Sequence, residues 1–411
     1  MKEEYKRSIS GVLLILLYPF AGIIYTFRNI QKQEAEKWFF LICLYFGLAF
    51  IYFNPYGLLG EGSDSERYAI ALREAFSMRG ITLHDYLNYR LREDYYANIL
   101  LFAVSRFTSN PQIFYGVAAA IMGLFFSKTA WIIINQTKGN KYVWIFIVTM
   151  LLCAPIWKIN GVRWWTALYV FLYGAFSFVF EKKKIKLIWC LLSVLIHYTF
   201  LFPSYILVVY FFLPKKNTLP YVILFTVLTL VSNFDLSSVS DVVAKLIPAS
   251  FNEETITGYL SFEYEAQHNL FADSGRFVAM YVNLFLMWVA YFGGRKEFEF
   301  NPGLKKFFIF TLLMSSLCLF INFAPWGRRF LDLSNFLSFA FYCLFLSQDF
   351  VNGKILKNIK FAIPFVAYFA IYQINFGLYS IGAKNLFLGN FLTVFFYNDF
   401  ISIHHYLELL F

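Results

Sequence analysis

INGVRWWTALYVFLYGAFSFVF, residues 159–180, and APWGRRFLDLSNFLSFAFYCLFL, residues 324–346, decide the fold class. Each opens on arginine, Arg163 in the first and Arg328 with Arg329 in the second, and then runs apolar for the length of a membrane crossing. A helix needs about 20 apolar residues to cross the roughly 30 Å hydrocarbon core. A guanidinium in that setting costs at least about 2.5 kcal/mol on the mildest insertion scale, so an intramembrane arginine points to function and to a partner. The fixed fork of donors on arginine matches phosphate oxygens, which makes an anionic partner of that kind the first expectation.

Composition extends this reading to the whole chain. Of 411 residues, 59% are hydrophobic and 15% charged, and a water-facing surface needs about a quarter or more. The chain is therefore expected to be an all-α, polytopic integral membrane protein. The 53 Phe and 29 Tyr exceed what interfacial belts require, so Phe must also fill lipid-facing and helix-packing surface. A net charge of +10 is not a nucleic-acid signature here, because the lysines concentrate in short loops such as 181–186 and 303–306. Cys43, Cys153, Cys190, Cys318 and Cys343 lie inside apolar segments at no metal-ligand spacing, so neither disulfides nor a zinc site is expected.

Apolar length places crossings near 9–27, 37–54, 111–134, 141–157, 160–180, 219–233, 277–294, 307–324, 327–347 and 360–380. Residues 95–108 are too short for a plain crossing and read as re-entrant or interfacial. Residues 187–213, with His197 and Pro203 in the middle, suit two short helices meeting at a bend. The aromatic stretch 385–411 has room for one further crossing, giving about 10–13 in all. The chain reads as a single transmembrane domain, 1–411, with long polar loops at 55–94 and 234–276. Loop 55–94 has apolar residues at helical spacing between charges and is expected to hold amphipathic helices at the membrane surface.

The basic loops at 181–186, 214–216, 295–306 and 352–360 are expected in the cytoplasm. Alternation then puts Arg163, Arg328, Arg329 and a His197 bend on the opposite side. The long loops join them if the first two spans are counted with the N-terminus outside or with a hairpin around Pro19. A single crossing there, with Lys2, Lys6 and Arg7 inside, puts 55–94 in the cytoplasm instead.

Several constellations carry candidate chemistry. GEGSDSERY, residues 60–68, presents Asp64 at a helix start beside Arg67 and Tyr68, either as a reactive carboxylate or as an ordinary cap. Trp164 and Trp165 beside Arg163 are interface anchors or platforms for sugar rings. Arg163 can also snorkel to headgroups, but two adjacent arginines, about 100° apart around a helix, cannot share one escape route. Asp332, one turn on, can neutralise one of Arg328 and Arg329. His197 is a lone polar residue in an apolar run, and SFEYEAQHNLFADSGR gathers Glu263, Glu265, His268, Asp273 and Arg276 in a setting that suits sugar or a solvated loop. No Walker A, dinucleotide-binding or nucleophile-elbow motif is present, and no HExxH spacing.

Taken in order, Gly62, Asp64 and Tyr68 in an early loop, Arg163 opening a mid-chain helix, His197 in an apolar run, and Arg328 and Arg329 opening a late helix resemble the EpsG-like, Wzy-type bacterial polysaccharide polymerases. The resemblance spans about residues 37–347. It implies a GT-C-like membrane glycosyltransferase that joins oligosaccharide repeat units carried on undecaprenyl diphosphate, at the outer face of the cytoplasmic membrane, without a metal or other cofactor. It implies that Arg163, Arg328 and Arg329 stabilise the leaving diphosphate and that Asp64, or else His197, is the base. Arg67, Tyr68, Trp164 and Arg276 are then candidate substrate contacts, and the expected partners are the lipid-linked glycan, the bilayer and a chain-length regulator. Competing expectations are a glycan ligase or a polyprenyl-phosphate-dependent transferase. A flippase or other transporter lining a cationic cavity, and an acyltransferase resting on His197 alone, are further readings. The guanidinium groups are expected to converge at one outward-facing pocket.

Overall fold

The computed structural model describes residues 2–52, 64–90, 95–137, 141–232, 270–322, 325–396 and 401–410. Among these the chain is almost wholly helical, and the only β contacts are isolated bridges, Phe50 to Ile381 and Gly382 to Ser402. Six described segments are long and apolar enough to cross a membrane: 111–134, 142–179, 274–294, 302–321, 327–346 and 353–378. The second is interrupted by a 3-10 turn at Ile156–Gly161, directly after Pro155. The chain is a polytopic all-α membrane protein, and its described residues form two compact units that interleave along the sequence.

Unit 1 comprises residues 1–135, 155–201 and 374–411. It opens with α1 (Lys2–Leu17) and α2 (Pro19–Arg28), in place of the one crossing expected over 9–27. Pro19 has no N–H to give a continuing helix and sits well at a new helix start, so the chain breaks at Tyr18. The two helices fold back on each other: a side chain at Gly22 would meet Ile15, and Gly11 and Tyr25 both pack on Trp38. The hairpin returns the chain to the end from which it started. Helix α3 (Ala35–Leu48) then traverses the unit and packs along α7 (Pro111–Ile134).

Gly47, Gly116 and Gly123 line that α3–α7 contact. A Cβ on Gly47 would collide with the Ala119 side chain and the Tyr115 carbonyl, one on Gly116 would meet Leu48, and one on Gly123 would meet Cys43. Lipid supplies no hydrophobic drive for helices to associate, so close approach through small residues does that work. The rest of unit 1 consists of α4 (Asp64–Ser77), α5 (Leu83–Tyr89), α6 (Tyr95–Ser105), α9 (Val162–Val179) and α10 (Leu187–Ile196). The bend expected within 187–213 lies at His197, not Pro203, which falls in the first turn of the next helix. Among its described residues the C-terminal stretch supplies no further crossing. It forms short helical pieces at Ala383–Phe387, Thr393–Phe395 and Ile403–Leu410, which pack around Tyr45 at the end of α3.

Unit 2 comprises residues 136–154 and 202–373. Its helices are α8 (Lys141–Cys153), α11 (Leu201–Phe212), α12 (Leu219–Val231), α13 (Leu270–Gly294), α14 (Pro302–Ile321), α15 (Phe330–Leu346) and α16 (Gly353–Leu378). Helix α14 starts on an Asn301–Pro302 pair whose Asn side chain accepts from the Leu304 N–H at 3.0 Å, a cap worth about 1 kcal/mol. The basic turns gather at one end: Lys305 Nζ donates to the Lys216 carbonyl at 2.6 Å, and Asn301 donates to Gln348 at 3.1 Å.

Because overpacking costs about 1–3 kcal/mol, Gly47→Val is expected to lower the detergent-solubilised melting temperature by several degrees. Gly80→Ala, with nothing within 4 Å of the added Cβ, is expected to leave it unchanged. Equal melting temperatures for the two variants would contradict the close α3–α7 contact.

Candidate functional site

In unit 1 the opening turns of α4, α6, α7 and α9 meet. The Tyr115 hydroxyl of α7 donates to the Ser65 carbonyl of α4 at 2.9 Å, and Phe114 packs on Tyr68 with ring centroids 5.9 Å apart. Tyr68 and Asp64 both lie within electrostatic reach of Tyr115, and Tyr68 of Tyr96. Tyr96, at the start of α6, faces Thr166 on α9, the two hydroxyls buried without a hydrogen bond of good geometry between them. Helix α4 also packs against the 156–161 turn that leads into Arg163.

Asp64 is the first residue of α4, where the positive end of the helix dipole favours a carboxylate. It is half-buried and ion-paired with Arg67, itself exposed. Arg163 is half-buried in the first turn of α9, whose N-cap residue is Gly161. A cation there is opposed by the dipole unless an anion joins it, so guanidinium and helix end favour the same negatively charged ligand. Trp164 is buried, not presented as a platform: it packs on Trp165 at 4.5 Å and on Phe200 at 5.4 Å. Phe200 closes the turn that begins at His197, so Trp164 ties the Arg163 turn to the His197 turn.

His197 is half-buried in extended backbone, φ −152° and ψ 116°, between α10 and the 198–200 turn. Its Nδ1 lies 2.9 Å from Thr199 Oγ1, and its ring stacks on Tyr198. Asp64, Arg67, Tyr68, Arg163, Trp164 and His197 thus all belong to unit 1, with Arg163 and the basic 181–186 turn at opposite ends of α9. Sequence reading missed Lys158, half-buried with Nζ 4.8 Å from the Trp165 ring centroid. Its signal was a lone lysine in an otherwise apolar stretch.

The second set of arginines belongs to unit 2. Helices α13 and α15 pair in the same direction: Asn283 donates to Asn335 at 2.8 Å, and Gly294 packs on Phe345. That register brings Arg276 to the level of Arg328. Helix α16 runs the other way, with Ser274 bonded to Tyr368 at 2.6 Å, Gly275 against Tyr372, and Phe339 stacked on Phe369. Buried Gln373 donates to Asp332 at 3.3 Å. Arg276, Arg328, Arg329, Asp332 and Gln373 therefore occupy one end of unit 2, opposite the lysine-rich turns. Arg328 and Arg329 are exposed, and Arg329 is the N-cap of α15. Helix α13 reaches back to Leu270, so Arg276 stands on a helix and not in the expected loop. Gly62, Glu263, Glu265 and His268 lie outside the described residues, as does the side chain of Asp273.

Among the described residues, no three His, Cys, Asp or Glu side chains come together in an arrangement that would hold a metal ion. The model of the EpsG family matches residues 58–388, most of the chain. No curated protein and no solved structure gives a match.

An exposed ion pair contributes about 1 kcal/mol or less, so Arg67→Ala is expected to leave the unfolding temperature nearly unchanged. Tyr115→Phe removes a buried hydrogen bond and is expected to cost about 1 kcal/mol. Thermal unfolding in detergent ranks the two, and a larger loss for Arg67→Ala would contradict this assignment.

Proposed function

Because the chain belongs to the EpsG family, a Wzy-like family of polysaccharide polymerases, we propose that it joins oligosaccharide repeat units carried on undecaprenyl diphosphate into a surface polysaccharide. The observation that supports this substrate is the placement of Arg163 and Arg329 at helix N-terminal ends. An anion gains there from both the guanidinium and the positive end of the helix dipole. Diphosphate is such an anion.

In the proposed reaction a hydroxyl of the acceptor glycan attacks the anomeric carbon of the donor. The new glycosidic bond forms as the bond to the diphosphate oxygen breaks, and undecaprenyl diphosphate departs carrying the electron pair. Asp64 takes the hydroxyl proton, with His197 as the alternative base. Arg163, Arg328 and Arg329 stabilise the charge growing on the leaving group, which a fixed cation does without reorganising. Arg67, Tyr68 and Arg276 contact substrate, and Trp164 holds the Arg163 turn. No step calls for a metal ion, and full activity in a chelator is the corresponding expectation.

The outer face of the cytoplasmic membrane is the proposed location. With the basic first residues inside, the α1–α2 hairpin adds no crossing and α3 carries the chain outward to the Asp64 loop. The lysine content of the turns in each unit, taken by itself, favours a cytoplasmic place for those turns. Joining finished glycan to another lipid is the nearest alternative reaction, and a flippase is the alternative from a different class.

Purified protein is expected to lengthen lipid-linked repeat units in detergent with no membrane gradient, which pure transport would not do. Arg163→Ala and Arg328→Ala are expected to abolish lengthening while the protein still inserts, and Asp64→Asn to slow it by about 10²–10⁴-fold. Unchanged chain length and rate in both arginine variants would exclude the diphosphate role. In cells lacking the protein, single repeat units should accumulate on carrier lipid. Accumulation of full-length polymer on the carrier would identify a ligase.

A further inference from the structure

Arg106 follows α6 in SRFTSN, between two apolar helices, and its half-buried guanidinium is among the most heavily bonded groups described. Nη2 donates to the Ala75 carbonyl at 2.9 Å and to Ser105 Oγ at 3.2 Å. Nη1 donates to the Arg79 carbonyl at 2.5 Å and to the Met78 carbonyl at 3.3 Å. Nε donates to the Phe102 carbonyl at 3.3 Å, and the guanidinium carbon stands 4.2 Å from the Phe102 ring centroid. One cation thus satisfies carbonyls at the C-terminal ends of both α4 and α6, where the dipoles favour positive charge.

We infer that Arg106 is a positioning residue that fixes the axial position and rotation of α4, and through it the place of Asp64. An apolar residue would pack α4 on α6 equally well but would leave both motions free. Three carbonyls at positions 75, 78 and 79, held by one planar fork, leave neither. The other end of α4 is held separately by the Tyr115 bond to Ser65, and the following helix is tied down by Arg90 to Glu74 at 2.6 Å and by Tyr86 against Phe102. Helix α4 has 14 residues, a length at which an isolated helix is only marginally stable. Its orientation therefore comes from these attachments. The catalytic part of this inference rests on Asp64 being the base.

The test has two arms. A nitroxide on Ile70→Cys, at an exposed position of α4, reports the helix directly, and all five native cysteines are buried. In Arg106→Lys, which keeps the charge and loses the fork, the nitroxide spectrum should show greater mobility. An unchanged spectrum would overturn the clamp. In the second arm, Arg106→Lys should lower kcat for lengthening by about 10- to 100-fold, with KM for the lipid-linked substrate within about twofold and normal membrane insertion. Combined with Asp64→Glu, whose carboxylate is already displaced, its effect should be much smaller than in the wild-type background. Losses that multiply in the double variant would overturn the positioning role. Full activity of Asp64→Asn would overturn the reading of Asp64 as base, and the nitroxide would still decide the clamp.

Discussion

Each helix end leaves backbone donors and acceptors that hydrocarbon cannot satisfy, and the architecture of this chain follows from where it accepts that cost. Among the described residues, helices stop and restart at Tyr18, at 154–161, at His197 and, between α14 and α15, at 325–329. The first is repaired within the backbone: the Tyr18 N–H reaches the Leu14 carbonyl at 2.8 Å and the Gly22 N–H reaches that of Tyr18 at 3.1 Å. The others coincide with Arg163, His197 and the Arg328–Arg329 pair. These charged and titratable groups sit where helices stop, whereas mid-helix polar groups such as Asn283 and Asn335 pair with one another.

Electrostatics within each unit reinforces this pattern. In unit 1 four helices begin near one another, and their N-terminal ends add positive potential to that of Arg163 and Lys158. In unit 2 the registers of α13, α15 and α16 bring Arg276 level with Arg328 and set Asp332 and Gln373 beside them. The contrast with Arg106 is instructive. That guanidinium bonds carbonyls at helix C-termini, the placement that stabilises structure without recruiting a ligand.

Most crossings were legible from apolar length alone, as with Pro111–Ile134 and Pro302–Ile321. Both begin on an Asn–Pro pair, a local helix-start signal with a physical cause. The His197 bend was legible because an imidazole midway along an apolar run needs polar neighbours, and an opened turn of backbone supplies them. The stretch around Tyr18 reads as one crossing by apolar length because Pro19 at a helix start disturbs no apolar pattern. The stretch 385–411 is aromatic enough to span and instead wraps the end of α3, since tertiary contact with Tyr45 decides its course. Arg106 and Gln373 were hidden for a common reason: Arg106 bonds mainly to backbone carbonyls, and Gln373 to an acid 41 residues away, neither encoded by local spacing. The two interleaved units were equally hidden, because no single linker separates them.

The α1–α2 hairpin has a mechanical side. Its tip exposes Leu17 at 70% and Tyr18 at 42%, with Leu13 and Ile24 on the flanks, a surface that suits acyl chains. Helix α2, at 10 residues, extends only about 15 Å, half the hydrocarbon thickness. The C-terminal stretch meets this tip, with the Phe391 N–H on the Leu16 carbonyl at 3.5 Å and Phe387 against Phe20 at 5.0 Å. The first and last parts of unit 1 are thereby tied together, so a change in one is felt by the other.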